Sequence, residues 1–165
     1  MGAAQRKRLL NLIWFSMIVA LAASAAVHGF LLEQDRTARP PEFLPKLFIG
    51  ASIFLYVAGW VWHYRTLRLV QQDASPTRFQ RLGLPERAVL QNRLQASVIV
   101  TLALFEAPLA LGVVNTALHS PMERLFEWLA GVSLIFFVMY RLQSYPAVFQ
   151  TLDRLEGGAP GSPST

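Results

Sequence analysis

The stretch TLALFEAPLALG, residues 101–112, decides how this chain is read. It is an aliphatic run with Glu106 near its centre and Pro108 two residues on. Extended outward, the run reaches from Leu94 to Leu118 and carries no other charge. About 20 such residues in a helix cross the roughly 30 Å of bilayer hydrocarbon. Three further runs have this character: Leu9–Leu32, Leu44–Tyr64 and Leu125–Tyr145. In lipid each must be helical, because only a helix satisfies its backbone N–H and C=O groups internally.

Composition agrees. Apolar residues make up 53% of the 165-residue chain and charged residues only 15%, against about 25% charged in soluble domains. Mean hydropathy is +0.36. The fold class read from the sequence is therefore all-α: an integral membrane bundle of four transmembrane helices arranged as two hairpins. The expected helices are about 9–32, 44–66, 94–118 and 125–145, in a single membrane domain over residues 1–156. The Gly/Pro/Ser-rich residues 157–165 are expected to form a disordered tail. Cysteine is absent, which excludes disulfides, thiolate nucleophiles and Cys-based metal sites.

Basic residues set the expected orientation. Arg6, Lys7 and Arg8, the six arginines between residues 65 and 93, and Arg141 and Arg154 make eleven on one side. Arg36, Arg39, Lys46 and Arg124 make four on the other. The positive-inside rule places both termini and the central loop in the cytoplasm, so the expected location is the cell inner (plasma) membrane, multi-pass. This asymmetry accounts for the pI of about 10.2 without nucleic acid, and the basic loop suits anionic lipid headgroups. The first run has the basic start and small residues of a cleavable signal over residues 1–26. Its 24 apolar-rich residues exceed the roughly 7–15 of a signal core, which favours an uncleaved helix. The stretch RFQRLGLPERAVLQNRLQ, residues 78–95, is amphipathic and either lies on the membrane or enters the third helix directly.

Glu106 lies near the bilayer midplane, where an ionised carboxylate costs about 2.5–3.5 kcal/mol on insertion scales. A neutral acid that donates a hydrogen bond inside the bundle avoids most of that cost. Its own helix face offers only Ile99, Leu102, Ala103, Leu109, Ala110 and Val113. Partners must come from other helices, and Ser133, Ser52, Tyr56, Ser24 and Ser16 stand at similar depth. Pro108 has no N–H and so frees the carbonyl of Leu104. The candidate proton- or ion-binding set is thus Glu106, Pro108 and Leu104, with a structural hydrogen bond at a kink as the equal alternative.

Residues 84–114, LPERAVLQNRLQASVIVTLALFEAPLALGVV, carry a family resemblance. Pro85-Glu86 is similar to a polar Pro-Glu turn, Ala103–Ala107 to an Ala-x-x-Glu-Ala core, and Gly112 to a later glycine. In these features the segment resembles the carboxylate-bearing helix of ATP synthase subunit c, the rotor-ring subunit. The resemblance implies that Glu106 is a proton-binding carboxylate in an oligomer.

Other polar residues point to no enzyme: no nucleophile–base pair, phosphate loop or metal-ligand spacing is visible, and no cofactor is expected. His28, His63 and His119 read as interfacial. Phe136, Phe137, Tyr140 and Tyr145 read as packing and interface anchors, and Glu123 and Glu127 complement a helix N-terminus. The expected partners are the lipid bilayer and a homo-oligomer or larger membrane complex. Two functions remain: a structural or accessory subunit whose buried Glu106 pairs inside the bundle, or a proton- or ion-coupled oligomer that loads and unloads Glu106.

Overall fold

A computed structural model of the chain describes residues 3–32, 43–75, 83–118 and 124–157. Among these the regular secondary structure is four α-helices: α1 (Ala3–Leu32), α2 (Phe43–Asp73), α3 (Leu84–Ala117) and α4 (Leu125–Gly157). All four are long and apolar enough to cross a membrane. Their outward faces confirm the solvent they need. Phe15 on α1, Phe54 on α2, Trp128 and Leu142 on α4 are 60–72% exposed. Apolar surface spread over every helix in this way is at home in lipid, not in water.

The helices are longer than the apolar runs that announce them. At 1.5 Å per residue, the 30 to 34 residues of each helix reach about 45–51 Å. The extra turns gather at the end that carries the N-terminus of α1 and the C-terminus of α4. There Leu67 and Val70 of α2, Leu90 and Leu94 of α3, and Val148, Leu152 and Leu155 of α4 are all buried in one core. Lys7 pairs with Asp153 at 2.7 Å, and Arg6 donates to Asn92 at 2.9 Å and to Gln95 at 3.1 Å. The amphipathic stretch before the third apolar run therefore enters α3 directly from residue 84 onward. Pro85 lies in the first turn of that helix, where a missing N–H costs nothing, and the Glu86 carboxylate accepts the Gly83 N–H at 2.8 Å.

α4 overturns the expected end at Tyr145. It continues through Pro146 to Gly157, although Pro146 removes the N–H that would bond the Leu142 carbonyl. Pro146 is exposed, whereas Val148, Thr151, Leu152 and Leu155 repeat at helical spacing and are buried. Packing on that face outweighs one lost hydrogen bond. α2 runs past its apolar stretch to Asp73, as the reading of YRTLRLVQQ (residues 64–72) as a continuation of the second helix expects, and buries Leu67 and Val70. Residues 158–165, expected as a tail, lie outside the described residues.

α3 is the hub. It packs against α1, α2 and α4, while α1 meets α4 and α2 meets α4 over smaller surfaces. Two glycines let the backbones close in. A Cβ at Gly59 of α2 would stand 2.8 Å from the Phe105 ring, and one at Gly112 of α3 would stand 3.0 Å from the Phe126 backbone. Small residues at such crossings are how helices gain packing energy in lipid, where no hydrophobic drive separates one apolar face from another.

Candidate functional site at the middle of the bundle

Phe105 and Glu106 are neighbours on α3, so their side chains leave the helix about 100° apart, given 3.6 residues per turn. That offset divides the middle of the bundle into two regions with different chemistry.

On the Phe105 side, polar groups are fully engaged. Ser133 of α4 donates to the Phe105 carbonyl at 2.9 Å and shares a 2.7 Å hydrogen bond with the Tyr56 hydroxyl of α2. Tyr56 also reaches the Leu129 carbonyl at 3.3 Å. Ser52 donates within its own helix to the Phe48 carbonyl at 2.7 Å. The Phe105 ring completes the region, packed among Tyr56, Trp60, Phe136 and Tyr140. This network ties three helices together near the in-helix proline: Pro108 is buried one turn above, and the carbonyl that accepts from Ser133 is the neighbour of the Leu104 carbonyl that Pro108 leaves without its N–H.

On the other side, Glu106 is half-buried and makes no hydrogen bond to any described residue. It lines a small cavity of about 210 Å³ with Ser24 of α1 and with Ala103, Ala107, Leu109 and Ala110 of its own helix. Of the sequence-derived candidates, the structure brings only Ser24 to the side of Glu106. Ser133 and Tyr56 are bonded to each other on the far side of α3, Ser52 and Ser16 to their own helices. The expected internal pairing of Glu106 with those groups is therefore corrected: residues at equal depth on different helices still face different neighbours.

Further polar contacts cross the bundle nearer its ends. His28 is buried, with Nδ1 2.7 Å from the Thr116 hydroxyl and its ring stacked on Phe126 at 4.2 Å. His63 and Tyr140 are fully buried and bonded to each other at 2.9 Å, which corrects the interfacial reading of His28 and His63. His119 lies outside the described residues. Tyr145 donates to the Leu10 carbonyl at 2.9 Å. Arg141 bonds Asn11 at 2.7 Å and lies 4.4 Å over the Tyr145 ring. The sequence carried one signal for these contacts, polar side chains inside apolar runs, but nothing that matched one to another.

Chemically, the Glu106 cavity offers a carboxyl group, one nearby hydroxyl and small apolar walls. It can hold a proton, or accept a donor brought from outside the chain. No family model, curated protein or solved structure matches this chain.

Proposed function

We propose that this protein is a small accessory subunit of a membrane complex, and that Glu106 is its point of recognition within the bilayer. One observation carries the reading: a carboxyl group at the centre of the third apolar run has no hydrogen-bond partner among the described residues of its own chain. Intramembrane carboxyl groups are expensive to leave unpaired and usually face a partner or a pathway. Ala103, Ala107 and Ala110 flank Glu106 with small side chains, the kind that lets another helix approach closely. A donor on a neighbouring helix, basic or hydroxyl-bearing, completes the site. In this reading both termini face the cytoplasm of a cell whose inner membrane holds the protein, as the distribution of basic residues favours.

A second reading has its own support. The space beside Glu106 is large enough for water, and a carboxyl group reached by water can exchange a proton, as the resemblance of residues 84–114 to the subunit c helix implies. Four helices with one central carboxyl make a thin pathway, so this function requires an oligomer.

Photo-crosslinking from position 110 in native membranes separates the two. The accessory reading expects a discrete protein adduct that disappears in Glu106→Gln. Adducts to lipid alone, with carbodiimide labelling of Glu106 that varies with pH, would refute it in favour of proton exchange. A discrete adduct to a second copy of this chain, also carrying that labelling, would support the proton-coupled oligomer.

A further inference from the structure

A second and larger cavity lies away from Glu106. It is a lateral groove of about 840 Å³ between α2 and α4, whose walls include Ser52 and Tyr56 on one side and Trp128, Val132 and Phe136 on the other, with Arg124 at its mouth. Its volume falls in the range of sites that hold small molecules, roughly 300–1,000 Å³. We propose that this groove seats one acyl chain of an anionic phospholipid, with Arg124 on the lipid phosphate.

Three observations select this occupant. The first is length: residues 124 and 136 stand about 18 Å apart along the α4 axis, close to the roughly 15 Å of hydrocarbon in one leaflet. A partner helix would need a groove running through both leaflets, whereas this one ends at Phe136. The second is the chemistry of the walls. Apart from Arg124, the polar side chains that line the groove are already used, Ser52 by the Phe48 carbonyl and Tyr56 by Ser133 and Leu129. What remains exposed is apolar, suited to a hydrocarbon chain. The third is charge. Arg124 is exposed just before the first residue of α4 and makes no ion pair with any described residue. Its guanidinium can grip a phosphate through two parallel hydrogen bonds. Trp128, one turn along and 72% exposed, is the amphipathic ring expected at headgroup level. Glu127 is not among the residues that line this groove; it lines a neighbouring one that shares Arg124, Trp128 and Val132.

The test uses the full chain in nanodiscs containing phosphatidylglycerol or phosphatidylcholine with brominated acyl chains. Quenching of Trp128 fluorescence is read as the difference between the native chain and Trp128→Phe. Phosphatidylglycerol is expected to quench Trp128 at about fivefold lower mole fraction than phosphatidylcholine, the factor that about 1 kcal/mol for one basic residue near an anionic surface implies. Arg124→Gln should abolish that preference, while Arg93→Gln, which removes a charge at the opposite end of the bundle, should leave it. Val132→Trp fills the groove and should weaken quenching by both lipids. Equal quenching by the two lipids in the native chain overturns the proposal without reliance on any variant. So does an equal loss of preference in Arg93→Gln and Arg124→Gln, which would mean general attraction of anionic lipid to a basic protein.

Discussion

Removing the Ser133 hydroxyl tests how the middle of the bundle is wired. Its oxygen takes part in two hydrogen bonds, to the Phe105 carbonyl at 2.9 Å and to the Tyr56 hydroxyl at 2.7 Å. Side-chain hydrogen bonds between membrane helices average about 0.6 kcal/mol each, with a maximum near 1.7. Ser133→Ala should therefore destabilise the bundle by about 1.2 kcal/mol, a little under tenfold in the unfolding constant. Tyr56→Phe keeps the ring stacked on Phe136 at 4.5 Å and deletes only the hydroxyl. The two variants share one hydrogen bond, so a double-mutant cycle should return a coupling of about 0.6 kcal/mol or more. Glu106→Gln combined with Ser133→Ala should instead be additive within about 0.3–0.5 kcal/mol, because the two residues share no partner. The assay is unfolding in mixed micelles by a denaturing detergent, followed by circular dichroism. Coupling between Ser133 and Glu106, with none between Ser133 and Tyr56, would refute the division of the site into two regions and restore the internal pairing of Glu106.

The same unfolding assay checks three further outcomes. Gly59→Ala forces a Cβ to within 2.8 Å of the Phe105 ring and should cost about 1–3 kcal/mol, as overpacking does; Gly131→Ala, with nothing within 4 Å, should be neutral or stabilising by up to about 1 kcal/mol. Thr116→Val removes the hydroxyl that meets His28 and the Gly112 carbonyl and should lower stability by about 1 kcal/mol. Arg141→Gln loses both the Asn11 bond and the ring contact with Tyr145, for a loss of about 1–2 kcal/mol; an unchanged midpoint there would mean that the Arg141 cluster is only a surface contact.

Several corrections share one origin. The fourth apolar run ends at Tyr145 when read locally, yet Val148, Leu152 and Leu155 beyond it have a core to enter. His63 sits near the end of an apolar run and reads as interfacial, yet Tyr140 of another helix stands opposite it inside the bundle. In each case a neighbour on another helix decides the outcome, and no pattern within one helix names that neighbour.

What the sequence determined by itself is the solvent and the class. Apolar runs of membrane-crossing length admit only helices, because lipid offers no partner to a bare backbone. The same runs located Glu106 at the centre of the third one, since that position is a count along one chain segment. Only the tertiary structure decided azimuth: which face of α3 meets which helix. Hydrophobicity in lipid does not distinguish inside from outside as it does in water, so close packing at Gly59 and Gly112 sets those faces. Through them it joins Ser133 to Tyr56, and leaves Glu106 beside Ser24 at an open cavity.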